Sequence, residues 1–419
     1  MITITSRPWG EPCDYAHAVL GSFADVALLF SALRTSYSGA SSLLAWDVLD
    51  VIEAHNAHDA WAWLHDFSQH PPEEAGTWIG YLSYEAGYAS PPPTKATCPA
   101  FPIMRFVRYR FMCRFDHVTQ SIFSDDASWE SLMHCAEKPR APTPMPCPLP
   151  HATMMPPDAY LDHVRDAQEH IAAGSFYQVN LTRKESGQWH EPLTPLHAWA
   201  LFTRLCARSP APYSAFISHK DSYILSSSPE LFVELDAHGH ISSRPIKGTL
   251  GREHASEDLH RSEKNRAENL MIVDLVRHDL AQVARVGSVK VPELYSVDSF
   301  RTVHHLSSQI TAQQHPDATL ATILRALFPA GSMTGAPKRA AMRWIAEHEG
   351  VQRGVYSGAL GWITPREAML NVVIRTLIAT SQYYEYQIGG GIVMDSDPHD
   401  EYTETCIKAR GLERMLYGD

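Results

Sequence analysis

At 419 residues the chain has ample material for a buried core and for one large domain or two modest ones. Its 44% apolar and 20% charged side chains are those of an ordinary globular protein, and a formal charge of −12, from 35 basic against 47 acidic side chains, argues against a nucleic-acid or anionic-membrane surface. Seven scattered cysteines without CxxC spacing, no apolar run near the roughly 18 residues that span a bilayer, and a start, "MITITSRPWGEP", without signal-peptide features lead us to expect a cytoplasmic protein.

Residues 1–136 read as a mostly β subregion. In it "GTWIGYLSYEAGY" (76–88) and "FPIMRFVRYRFMCRFD" (101–116) carry the aromatic and β-branched residues of half-buried strands. Residues 137–157 are a connector, because "PRAPTPMPCPLPHATMMPP" is too rich in proline for a helix or an interior strand. Residues 158–419 alternate helix and strand patterns. "YLDHVRDAQEHIAAG" (160–174) places Leu161, Val164 and Ile171 on one helical face and stops at Gly174, and "FYQVNLT" (176–182) reads as a strand.

"SYILSSSPELFVEL" and "HGHISSRPIKGT" read as neighbouring strands turned by "DAHGH", which sets Glu230 and Lys247 on adjacent strands. Lys247 is odd there. Arg244 and Arg252 already make the neighbourhood cationic, so Lys247 either points to solvent or has its charge suppressed and serves as nucleophile or base. The stretch from Arg252 to Lys264 reads as a short polar loop.

A helix is expected over 264–287. Seven of the ten residues from Ala267 to Val276 are apolar and fall on nearly every face, the pattern of a helix buried all round. Glu268 on such a helix needs a cation, a metal or a donor; alternatively it lies on an exposed first turn, where the helix dipole favours it. His304 and His305 fit either core or functional roles. "FPAGSMTGAPK" and "GGGIV" (389–393) resemble anion cradles, glycine-rich and open to close backbone approach, although the first is not a Walker A loop. Arg375 reads as a charge inside an apolar strand, suited to a carboxylate. After "GGGIV", Asp397 as N-cap and Pro398 at the first position start a last helix that carries Glu401 and Glu404 on one face. Helix propensity and a Glu404–Lys408 pair explain these two carboxylates; facing the Glu268 helix they would instead form an oxygen-rich site suited to Mg²⁺.

The ordered set "FYQVNLT", "SSSPELF", "RPIKGT", "RAENLMIVDLVRHDL", "VHHL", "GSMTGAPK", "YSGALGW", "IRTL" and "GGGIVMDS…EYTET" resembles the chorismate-utilising enzymes related to anthranilate synthase component I over residues 155–415. The resemblance implies an α+β fold with an antiparallel β-sandwich core wrapped by helices. It also implies Mg²⁺ held by Glu268, Glu404 and Glu401, and catalysis by Lys247, Glu230 and His305. Gln178, Gly248, Thr249, Ser332, Tyr356, Arg375, Gly389, Gly390 and Gly391 would hold chorismate. Anthranilate synthases resemble "PIAGT" where this chain has "PIKGT", which is similar to the branch that forms 4-amino-4-deoxychorismate through a covalent lysine. Isochorismate and salicylate synthases carry a water-activating lysine where this chain has Gln178.

Asn265 departs from the acid that family members often carry there. "PYSAF", with Pro212, Tyr213 and Ser214, resembles the segment lining a tryptophan pocket in relatives, a possible effector site. No glutaminase cysteine elbow is visible, and Cys206 and Cys406 lie in helical contexts, so ammonia is expected from a separate glutamine amidotransferase subunit. Rival readings are an anthranilate- or isochorismate-type enzyme and a non-catalytic binding subunit. The second is disfavoured by the joint presence of Glu230, Lys247, Glu268, Arg375 and Glu404.

Overall fold

A computed structural model describes residues 4–35, 38–70, 76–88, 101–138, 144–299 and 303–418. Its strand pairs are all antiparallel and branch from the long strand Met104–Asp116, which pairs along its whole length with Ser41–Ala54 on one side and with Trp78–Leu82 on the other. From Ser41–Ala54 the first wing runs through Val26–Phe30, Tyr213–His219, Ser222–Ser228, Thr376–Thr380 and Tyr383–Ile392 to Gln178–Gln188. From Trp78–Leu82 the second runs through Ala359–Ile363, Ala368–Val372, Leu231–Leu235 and His240–Arg244 to Val303–Gln313, which is also paired with Ile246–Gly251 and Lys290–Ser299.

The wings face each other. Alternate residues of each strand point to opposite faces, so in Val26–Phe30 the side chain of Ala27 enters the core between the wings with Ala45, Tyr81, Val107, Ile217, Leu360 and Ile378. Val26 and Leu28 point outward, against the helices Pro12–Leu20, Pro195–Arg208 and Pro398–Tyr417. The second wing is covered by Ala57–Gln69, Glu263–Ala281 and Leu320–Leu327. Pro157–Ala172 and Lys338–His348 close the end near Gln178–Gln188. This is the expected α+β sandwich wrapped by helices.

Strands of the N-terminal 136 residues are hydrogen-bonded into both wings beside strands from beyond residue 158, as in Val26–Phe30 with Tyr213–His219 and Trp78–Leu82 with Ala359–Ile363. Of the proline-rich connector, 139–143 lie outside the described residues. The rest is tied to Gln178–Gln188 and its end by a Pro148–Trp189 bridge and the short strand Ala152–Thr153.

Several local expectations need correction. "GTWIGYLSYEAGY" is strand only at Trp78–Leu82; Tyr84–Gly87 is a 3-10 turn. The helix expected over 264–287 is Glu263–Ala281, capped by the Ser262 side chain. Residues beyond it are captured by the end of Val303–Gln313, where Arg285 N–H donates to Gln313 O at 2.8 Å and Ala284 bridges Gln314. Nor is that helix buried all round: Asn269, Ile272, Val273, Val276 and Leu280 form one buried face, whereas Leu270 is 43% exposed. The polar loop after Arg252 contains a helix of its own, Ser256–Arg261. Arg375 is not inside a strand but at a left-handed kink (φ 51°) just before Thr376–Thr380.

Candidate active site

The strand Ser222–Ser228 ends where Pro229 removes a donor, and Leu231–Leu235 starts two residues later in the other wing. Glu230 stands at that crossing, 4% exposed, with its carbonyl held by Val372 N–H at 3.0 Å. Lys247 lies on Ile246–Gly251, half-buried, and Ser332 connects the two. The Ser332 hydroxyl donates to Glu230 Oε1 at 2.6 Å, and the Ser332 carbonyl accepts from Lys247 Nζ at 3.1 Å. Burial pushes the Glu230 carboxyl up to about 7, against the pull of Ser332 and the Lys247 charge. Burial lowers the Lys247 ammonium as well, opposed by Glu268 and Glu230 and assisted by Lys408. An acid raised by burial beside an amine lowered by burial is the combination that favours proton donation plus nucleophilic attack.

The loop over 331–335 offers Lys247 the Ser332 carbonyl, and its Met333 and Thr334 N–H groups donate to Ala330 O and Gly331 O. Lys338, just beyond it, is locked by Asp279 at 2.8 Å and Leu327 O at 2.6 Å.

The antiparallel pairing of Gln178–Gln188 with Tyr383–Ile392 brings the second glycine cluster to the same place, with Gly391 opposite Asn180 and Gly389 opposite Thr182. A Cβ on Gly391 would stand 2.2 Å from Gln178 Nε2 and 3.3 Å from Lys247 Nζ, so only glycine leaves room for both side chains. Behind this strand Lys408 Nζ donates to Gly389 O at 3.0 Å, and Glu401 adjoins Gly390.

Glu268, Glu401 and Glu404 gather on that side. Burial raises Glu268, with Lys247 opposing; burial also raises Glu401, with Glu404 and Glu268 adding to it. Glu404 is lowered by Lys408, its partner at 2.6 Å, while Lys264 stands 3.8 Å from Glu401. The surface pair of Glu404 forms, and its charge also raises the other two carboxyls. Among the described residues no three His, Cys, Asp or Glu side chains form a metal cage. The donor set nevertheless fits Mg²⁺, which needs only one or two carboxylates besides water and substrate oxygens. Asn265 donates to Ser262 Oγ at 2.9 Å and packs against Gly248, whose φ of 100° suits glycine.

A third group lies on the other flank of Lys247. His305 is paired with Thr249 across the ladder; its Nδ1 is 2.9 Å from Thr249 Oγ1, and its Nε2 is 3.0 Å from Arg375. Because arginine can only donate, Nε2 accepts and Nδ1 carries the proton. Burial and the Arg375 charge hold His305 well below its usual range, so the ring is neutral. Burial pulls Arg375 down to about 10, and among the described residues no carboxylate pairs with it. A buried guanidinium in that state suits an incoming carboxylate.

Tyr356 is buried beside Arg353 and Ser357. Pro212, Tyr213 and Ser214 lie elsewhere, lining a separate cavity of about 150 Å³ with Phe30, Trp362 and Met369. Two residues escaped sequence reasoning. Arg353 sits in a loop without periodicity, and Lys408 looked like a surface partner, although its Glu404 i,i+4 spacing was a signal of sorts.

Residues 27–414 match the family described as chorismate binding enzyme. The chain is 38% identical over 373 residues to aminodeoxychorismate synthase from Streptomyces griseus, covering 81% of this chain and 50% of that one. It is 40% identical over 357 residues to aminodeoxychorismate synthase component 1 from Salmonella typhimurium, covering 81% and 76%. It thus spans half the length of the first relative and about three quarters of the second. Among solved structures, anthranilate synthase component I from Streptococcus pneumoniae superposes with a TM-score of 0.76 at 29% identity, over 90% of this chain and 93% of that one. Menaquinone-specific isochorismate synthase from Escherichia coli, at 18% identity and a TM-score of 0.77 over 99% and 95%, shares the fold.

Proposed function

Since the chain belongs to the chorismate-binding enzyme family, we propose that it converts chorismate and ammonia to 4-amino-4-deoxychorismate, as a component I enzyme of para-aminobenzoate and folate synthesis in the cytoplasm. The observation that carries this reading is Lys247 itself. An amine depressed by burial stands on the same serine as an acid raised by burial, where an anthranilate-type site has alanine.

Arg375, with His305 behind it, and the backbone at Gly389–Gly391 receive the substrate, with Gly248 and Thr249 alongside. Glu230 gives its proton to the C4 hydroxyl, which departs as water while Lys247 bonds to C2. Ammonia then bonds to C4 and the C2–lysine bond breaks, which returns the lysine to the enzyme. Glu268, Glu401 and Glu404 would hold Mg²⁺, which when bound withdraws charge from a substrate carboxylate.

Ammonia is drawn from glutamine by a second, amidotransferase chain. The name "component 1" of the Salmonella typhimurium relative supports that arrangement. Chorismate given to this chain with an ammonium salt should yield 4-amino-4-deoxychorismate by mass and ultraviolet spectrum, while glutamine in place of ammonium should yield none. Anthranilate as product, or full glutamine-dependent activity of the chain alone, would overturn the reading.

The cavity lined by Pro212, Tyr213 and Ser214 we read as an effector pocket. Its apolar wall of Leu29, Phe30 and Trp362, with the Glu234 carboxylate, suits an aromatic amino acid. Saturating tryptophan should raise the melting temperature through its linkage to the folded state; an unchanged melting temperature at millimolar tryptophan would remove the proposal.

A further inference from the structure

Arg353 is a fully enclosed cation, 1% exposed. Its guanidinium donates to Met333 O at 2.6 Å, to Asn180 O at 2.7 Å, and to both oxygens of Glu349 at 2.8 and 2.5 Å, and it lies 4.5 Å from the centre of the Tyr84 ring. Its backbone is held as firmly. The N–H groups of Arg353 and Gly354 donate to the two oxygens of Glu85 at 2.8 and 3.0 Å, and the Arg353 carbonyl accepts from Gln387 at 2.7 Å. Glu349 in turn accepts from Thr182 N–H at 3.0 Å. One side chain thus fastens the turn that carries Ser332 to the strand that carries Gln178.

The adjacent residue is what gives this a chemical meaning. Met333 follows Ser332, which donates to Glu230 and accepts from Lys247. A carbonyl has little freedom when its neighbour across one peptide unit is pinned by a buried, charged donor. We propose that Arg353, anchored by Glu349, is a positioning residue that sets Ser332, and through Ser332 the spacing of the acid Glu230 and the nucleophile Lys247. The naming of acid and nucleophile rests on the proposed function.

Burying a guanidinium is costly, and a structural tie alone could be made with apolar packing. A planar fork that reaches three acceptors on separate segments has a different use, since an ammonium in its place could satisfy only part of the set. Arg353→Lys keeps the charge that Glu349 needs and is the variant to make.

The test compares the wild type, Arg353→Lys, Ser332→Ala and the double variant as full-length chains. Two readouts are taken: ammonia-dependent turnover of chorismate across pH, and the rate at which acetic anhydride labels Lys247, read by peptide mass spectrometry relative to exposed lysines. Arg353→Lys should lose about 10- to 100-fold in kcat with KM for chorismate within about three-fold, as an effect confined to the chemical step would. Its pH profile should shift in the same sense as that of Ser332→Ala, and the double variant should lose clearly less than the product of the single losses.

Lys247 labelling should change several-fold in Arg353→Lys but hold within about two-fold in Ser332→Ala, whose backbone carbonyl remains. Multiplicative losses with an unmoved pH profile, or Lys247 labelling identical to wild type, would reduce Arg353 to a structural tie. The labelling arm needs no substrate, so it decides the matter even if the wild type fails to aminate chorismate and the proposed function falls. If Arg353→Lys does not fold, Glu349→Gln keeps an oxygen for Arg353, removes its anchoring charge, and should show the same pattern at smaller amplitude.

Discussion

Mixed with chorismate and Mg²⁺ without ammonia, the purified chain gains the mass of chorismate less one water, Lys247→Ala gains nothing, and ammonium-dependent turnover falls in the variant by at least about a thousand-fold. The expectation follows from the state of the amine. An ordinary lysine is roughly 0.04% neutral at pH 7, so a nucleophilic one must be lowered by about three units to be mostly reactive. Burial pushes in that direction here and Lys408 adds to it, whereas Glu268 and Glu230 oppose it. Replacing Lys247 removes one hydrogen bond to Ser332 O, about 1 kcal/mol, so the variant should fold and its inactivity should be chemical. Full-rate amination by Lys247→Ala, with no adduct on the wild type, would make the lysine a bystander and move an anthranilate-type reaction to the front.

How far the sequence disclosed this site depends on the kind of signal each residue carries. Lys247 and Glu230 announced themselves by chemistry out of place in β-rich text, and the two glycine clusters by their density. What one strand pattern could not supply was the third body between them. Ser332 was expected against the substrate, yet its hydroxyl is bonded to Glu230, a contact made across 102 positions of the chain. Arg375 was misread for a similar reason. Apolar neighbours suggest a strand interior, but the left-handed kink that turns its guanidinium toward His305 is set by tertiary packing and leaves no mark in hydrophobic periodicity.

The long helix shows the opposite failure. Seven apolar residues in ten predicted burial on every side, although Leu270 faces out, because apolar side chains are common on protein surfaces and only buried polar ones discriminate. The fold was the better-read part. Alternation in the strands and caps such as Asp397 and Ser262 are local, and local rules survived folding.

Glu230→Gln is the second large effect expected, and its sign is carried by pH. The carboxyl is held at about 7 by burial, so in the folded enzyme it is protonated below that value and loses its proton as pH rises through it. The leaving hydroxide needs that proton, whereas Lys247 must have lost its own. Adduct formation in the wild type therefore follows a bell, rising as the lysine becomes neutral and falling as the acid is spent.

Glutamine keeps an oxygen for the Ser332 hydroxyl but has no transferable proton at any pH. The variant should form adduct about 10²- to 10⁴-fold more slowly, and the remaining rate should follow a single rise toward alkaline pH with the fall at high pH gone. Stopped-flow or quenched mass measurements of adduct against pH read both features at once. A variant that keeps the full bell would place the acid elsewhere. One that keeps the wild-type rate would mean that the hydroxyl departs without a proton from this carboxyl, and burial of Glu230 would then be a matter of folding alone.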